Sequence, residues 1–248
     1  MKTFATVRRI GSQLRNDPRT IALIMVVPAA LLTLLYFIFI DVPVPPGQRS
    51  LFERIGPVML AFLPMVLMFI VTSVAMLRER TMGTLERLLT TPLSRVNLIA
   101  SYALVFGVLA LAQAAVLAAL LRFAFDVSLE GSWWMMLVLA LLDALIGVTL
   151  GLMASAFART EFQAVQLMPV FVAPQIFLCG LFVPVDQMPA VLEAIARILP
   201  MTCAVDVVNS LVAQTTLADG DWLRLGGLLA VSVVAVLGAA MTLPRKVA

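Results

Sequence analysis

The chain has 248 residues, 62% of them hydrophobic and only 12% charged, with a formal net charge of +3. These proportions exclude an ordinary water-soluble domain and place most of the chain in lipid. There is no histidine, and Cys179 and Cys203 fit neither a disulfide framework nor a metal spacing, which argues against a zinc site. The basic residues flank apolar runs instead of interleaving with aromatics, so they argue against nucleic-acid binding.

Residues 2–18 carry Phe4, Val7, Ile10 and Leu14 at helical spacing among Lys2, Arg8, Arg9 and Arg15. No small-residue cleavage site follows, so this is not a cleaved leader. It reads as an amphipathic helix lying in the headgroup layer, or as a basic tail that sets orientation. Six spans follow, at Thr20–Ile40, Gly56–Leu77, Val96–Leu121, Trp133–Phe157, Gln163–Val183 and Trp222–Leu243. Each is long enough, at about 1.5 Å per residue, to cross a hydrocarbon core of about 30 Å. Only helices suit them, because open strands would leave backbone groups unpaired in lipid.

Between the second and third spans lies a charged island, residues 78–95. Met82, Leu85, Leu88 and Leu89 repeat there at helical spacing, Glu86 and Arg87 occupy other faces, and Pro92 closes the run. The pattern predicts a short helix over Thr81–Thr91 with one apolar face. By composition alone, that face suits a partner protein and the lipid surface equally.

The fourth span holds Asp143, about ten residues beyond Trp133 and so near mid-depth. A carboxylate there costs about 2.5 kcal/mol or more to insert, so it should face protein or water. Either it relays protons or meets a cationic substrate, or it stays neutral and hydrogen-bonds another helix. Gln113, Gln163, Gln166 and Gln175 read as contacts between helices, and Gly147 with Gly151 as a close-packing pair. The fifth span is interrupted by Pro169 and Pro174 and ended by Gly180 and Pro184. Such breaks occur along transport pathways and also in ordinary packing. In 184–214, two apolar stretches too short to cross predict a re-entrant helical hairpin before the last span.

Lysines and arginines set the orientation. They cluster in the N-terminal tail, in 78–95, at Arg159 and at Arg245 and Lys246, whereas the alternate segments hold only Arg49, Arg54, Arg122, Arg197 and Arg224. The positive-inside tendency puts both termini and residues 78–95 in the cytoplasm and the hairpin outside. Lys2 and Lys246 are the only lysines, and neither follows a glycine-rich phosphate loop. ATP therefore acts, if at all, on another subunit. Catalytic sets that require histidine are impossible, and Asp143 has no evident acidic partner.

Two segments carry a family resemblance. Residues 78–95, RERTMGTLERLLTTPLSR, resemble the coupling segment of bacterial ABC type-2 export permeases of the daunorubicin-resistance-like group. Residues 177–189, FLCGLFVPVDQMP, continued by LPMTCAVD at 199–206, are similar to that family's outer hairpin. The resemblance covers the whole chain as one permease domain, 1–248. It implies an all-α polytopic fold of six transmembrane helices, with a cytoplasmic coupling helix and an outer re-entrant hairpin. It also implies a bacterial plasma membrane location and a four-chain assembly. In that assembly a second permease copy or related permease pairs with this one, and a cytoplasmic ABC ATPase subunit binds ATP and magnesium. This chain would bind no cofactor. The substrate would be a drug or another hydrophobic, amphipathic small molecule moved outward.

The ATPase contact carried over comprises Arg78, Glu79, Arg80, Gly83, Thr84, Leu85, Glu86, Leu88, Leu89 and Pro92. Pathway or gate candidates are Asp143, Gln175, Phe177, Pro184, Met188, Pro200 and Asp206. Thr81 and Met82 lie between Arg80 and Gly83, where many relatives are shorter, and Cys179 and Cys203 stand where small polar residues are expected. A proton-coupled secondary transporter using Asp143 is the alternative reading.

Overall fold

The computed structural model describes residues 2–45, 47–84 and 94–241, and no strand occurs among them. Helix α1 (Lys2–Arg15) ends at a corner where Asp17 accepts hydrogen bonds from the Thr20 amide at 3.2 Å and the Thr20 hydroxyl at 2.6 Å. Pro18 follows at the first helical position of α2 (Pro18–Phe39), where its missing N–H costs nothing. Helix α3 (Leu51–Thr81) opens on a reciprocal cap in which the Ser50 hydroxyl accepts from the Glu53 amide and the Glu53 carboxylate accepts from the Ser50 amide. It then runs unbroken through Arg78, Glu79 and Arg80. The expected second span stops at Leu77, but arginine and glutamate are good helix formers, and the chain keeps its helix for another turn.

Helix α4 (Arg95–Ala119) is capped by Ser94 and widens into a π turn at Leu120–Ala124. Helices α5 (Trp133–Ala154), α6 (Glu161–Gln166) and α7 (Met168–Leu178) follow. A 3-10 turn at Val185–Gln187 leads to α8 (Ala190–Ile198), α9 (Pro200–Ala213) and α10 (Asp219–Met241).

Among the described residues, five helices are long and apolar enough to cross a membrane: α2, α3, α4 with its π turn, α5 and α10. The expected fifth span, Gln163–Val183, is not one such helix. It breaks at Leu167 into α6 and α7 because Pro169 has no amide to give the preceding turn and crowds the carbonyl four residues back. Pro174 sits inside α7 without ending it, and Gly180 turns the chain with φ +90°. Helices α8 and α9, at about 14 and 21 Å, are too short to cross, and they meet at the extended Leu199.

Helix α5 lies at the centre and α3 packs along its length, with α4 and α10 also against it. The contact between α3 and α5 depends on glycine. A Cβ on Gly147 would lie 2.2 Å from the Met65 carbonyl oxygen, and one on Gly151 would lie 2.4 Å from the Phe69 carbonyl oxygen. The Thr72 hydroxyl, which donates to the Met68 carbonyl of its own helix at 2.5 Å, also reaches across the same seam to the Val148 carbonyl of α5 at 3.2 Å. At the Leu51 end of α3, Tyr36 stacks on Phe125 at 4.5 Å and Phe52 meets both rings edge-on. That aromatic knot joins α2, α3 and the chain just after the π turn.

Candidate functional site

The Thr81 end of α3 gathers three other parts of the chain. Its last turn presents three consecutive charged side chains, which a helix spreads about 100° apart, so each meets a different neighbour. Arg78 makes a two-pronged pair with Glu161 at the start of α6, with Nε to Oε1 at 2.7 Å and Nη2 to Oε2 at 3.0 Å. Those hydrogen bonds hold the Glu161 carboxyl below the usual carboxylate range. Glu79 turns inward, its side chain only 7% exposed, and accepts from Arg9 of α1 at 3.1 Å. Arg80 reaches the Ser155 carbonyl, just past α5, with Nη1 at 3.5 Å, while its Nε and Nη2 are buried without partners among the described residues.

After Thr81 the chain turns at Met82 and Gly83. Gly83 has φ +70°, a conformation glycine adopts without strain. The Thr84 hydroxyl donates back to the Glu79 carbonyl at 3.0 Å, closing the turn. Met82 stands 65% exposed at the edge. A groove of about 390 Å³ opens beside this junction between α1, α3 and α4. Ile70, Val71, Val74, Ala75 and Phe106 line its inner part, with Ile10 and Leu14 from α1 opposite, while Asp17, Arg78, Glu79 and Tyr102 stand at its polar end.

At the opposite end of the bundle, Arg224 on α10 bridges Asp206 of α9 at 3.3 Å and Asp221 at 2.9 Å. Asp221 is itself buried and also accepts from Ser210 and the Ala218 amide. The amide of Gly131 donates to the Leu211 carbonyl at 2.8 Å, tying the segment before α5 to α9. Gln175 of α7 accepts from the Met201 amide at 3.4 Å, a long contact linking α7 to the start of α9. Phe177 is exposed and stacks on Phe182 at 5.7 Å.

The expected residues therefore fall into separate groups. Arg78, Glu79, Arg80, Gly83 and Thr84 form one continuous junction, with Glu79 committed to α1 and not to the surface. Leu85, Glu86, Leu88, Leu89 and Pro92 lie outside the described residues, as does most of the predicted Thr81–Thr91 helix; Thr81 itself is the last residue of α3. Gln175 and Pro200 come together where α7 meets α9, and Asp206 is drawn to α10 by Arg224. Pro184 and Met188 flank the 3-10 turn.

Asp143 stands apart: it is fully buried in α5, and neither carboxylate oxygen has a hydrogen-bond partner among the described residues. Of the two expected roles, a hydrogen bond from Asp143 to another helix is not seen among the described residues. Gln113 is likewise buried without one. Arg9, Ser155, Glu161 and Arg224 complete these groups without having been singled out as site residues. Arg9 counted only as tail charge, although a basic residue on an amphipathic helix and a lone acid at the end of a span form a complementary pair legible in retrospect.

The chain matches the ABC-2 type transporter family over residues 2–212 and belongs to that family. It is similar to the "Probable multidrug ABC transporter permease YbhR" of Escherichia coli (strain K12), 29% identical over 191 residues, or 77% of this chain and 52% of that protein. The "Probable multidrug ABC transporter permease YbhS" of the same strain is 29% identical over 143 residues, 57% of this chain and 38% of that one. The "Linearmycin resistance permease protein LnrN" of Bacillus subtilis (strain 168) is 30% identical over 138 residues, covering 56% and 36%. The chain thus spans about half the length of the first of these relatives, and less of the others.

Proposed function

We propose that this chain is the membrane permease subunit of an ATP-driven exporter, moving drugs or other amphipathic small molecules outward while ATP and magnesium act on a separate cytoplasmic subunit. The observation that carries this reading is the junction at the end of α3. The last turn of a helix that runs the length of the bundle is held by ion pairs to α1 and α6 and reaches the end of α5, just before residues 85–93, whose sequence predicts one apolar face. A push on that segment by a partner enters α3 directly and reaches three further parts of the fold. The resemblance of 78–95 to a coupling segment, and the permease relatives, support the same assignment. In this reading both termini and the junction face the cytoplasm of a bacterial inner membrane, a sixth crossing is completed through α6 and α7, and α8–α9 form the outer hairpin. A second permease copy or related permease completes the pathway, with the apolar outer faces of α2 and α10 available to lipid or to that partner.

The experiment is co-purification with the candidate ATPase subunit. Leu85→Asp and Glu86→Arg should each release the ATPase and abolish substrate-stimulated ATP hydrolysis; if both variants keep it bound, the coupling assignment is wrong. The second reading, proton-coupled transport through Asp143, draws on the buried carboxylate without a partner. Asp143→Asn separates the two. Export that survives this change removes the proton route, whereas export lost with the ATPase still bound supports it.

A further inference from the structure

We propose that the groove between α1 and α3 is a binding site for one inner-leaflet phospholipid with a zwitterionic ammonium–phosphate headgroup, of the phosphatidylethanolamine type. The site rests on the reading above only in taking the Arg78 end as the cytoplasmic end. The groove is apolar along α3 from Ile70 to Ala75 and becomes charged at Arg78, eight residues and about 12 Å beyond Ile70. A bilayer leaflet is about 15 Å of hydrocarbon, so this gradient matches one acyl chain lying along α3 with its headgroup at the mouth. The volume of about 390 Å³ lies within the range of small-ligand sites, about 300–1,000 Å³.

Charge at the mouth selects the headgroup. Arg78 uses Nε and Nη2 on Glu161, which leaves Nη1 to donate to a phosphate. Among the described residues the Asp17 carboxylate accepts only from Thr20, and it stays below the usual carboxylate range through those bonds, so it is ionised and has lone pairs left for an ammonium. A purely anionic lipid would meet Arg78 but leave the ionised Asp17 without a cation, since Glu79 and Glu161 are already held by Arg9 and Arg78. A purely cationic amphiphile would leave the free edge of Arg78 without an anion. A headgroup carrying both charges satisfies both rims, and its chain would fill the space that separates α1 from α3.

The test reconstitutes the full chain in vesicles of phosphatidylethanolamine and phosphatidylglycerol, with one or the other carrying a photoreactive diazirine in its acyl chain, and maps the label by mass spectrometry. The ethanolamine probe should label peptides of α1 and α3 lining the groove. Val74→Trp, which fills the groove, should cut that labelling at least five-fold while helix content stays unchanged. Val71→Phe gives the same reading should the tryptophan variant aggregate. Asp17→Ser keeps the helix cap but removes the charge, and should bring the two probes to equal labelling. The proposal is overturned if both filling variants label like the parent chain, if the glycerol probe labels the parent more strongly, or if a single-chain cationic amphiphile displaces the ethanolamine probe at equal mole fraction. No ATPase and no transport enter this readout, so its failure leaves the permease assignment standing, and loss of that assignment leaves the lipid result intact.

Discussion

Gly83 occupies the left-handed region at φ +70°, and nothing lies within 4 Å of where its Cβ would be. Its cost on substitution is therefore backbone strain alone. Gly83→Ala should destabilise the turn by about 1 kcal/mol and weaken ATPase stimulation, whereas Gly11→Ala, also in open space but inside α1, should be neutral or slightly stabilising. Thermal melts of the two variants side by side check this. The pair of Arg9 and Glu79 makes a sharper test, because Glu79 is nearly enclosed. Removing only Arg9 strands a buried carboxylate and should cost about 2 kcal/mol or more. Adding Glu79→Gln to Arg9→Ala should recover part of that loss. Denaturant titration of the single and double variants should show the double as the more stable; the reverse order would mean that the pair contributes nothing through its charge.

Among the elements, α3 and α5 define the core, and their contact is legible only in part from sequence. The spacing of Gly147 and Gly151 announces a close approach but not the partner, because a small-residue pair presents the same signature to any backbone. The structure supplies Met65 and Phe69. Gly151→Leu should separate the two helices and cost at least about 2 kcal/mol through overpacking. Loss of monodisperse protein on size exclusion, with Gly226→Leu at an open position as control, measures it. Spans were readable because twenty apolar residues in a row admit few structures. Their ends were less so. Charge at Arg78 looks like a boundary to a hydropathy reading, although helix propensity carries the backbone through it. The break at Leu167 had a visible cause in Pro169, but Pro174 looked equally disruptive and is accommodated. Proline's effect depends on whether neighbours satisfy the freed carbonyl, and a single sequence does not contain that.

At the scale of the whole molecule, the junction at the end of α3 was legible as a motif but not as an assembly. Residues 78–80 stood out, while Arg9, Ser155 and Glu161, up to 83 positions away in the chain, had no local pattern to mark them. Their pairing also carries a pH signature. The Glu161 carboxyl is depressed by Arg78, so the pair's stabilisation is complete above the ordinary glutamate value, about 4.3, and is lost as pH falls through the lower folded value. Both partners are half-exposed, so the effect stays below about 1 kcal/mol. Glu161→Gln should flatten the stability curve between about pH 5 and pH 3, and a melt series across that interval checks it.

Helix α3 is one continuous 31-residue helix, with Pro57 and Pro64 inside it, whose close contact at Met65 and Phe69 against the α5 glycines falls near its middle. From the midpoint of that fulcrum the arm to Thr81 is about 21 Å and the arm to Leu51 about 24 Å. A tilt imposed at one tip would swing the other by a nearly equal distance in the opposite sense, straight into the Tyr36–Phe52–Phe125 knot. Such a seesaw neither amplifies nor damps the stroke; it reverses it.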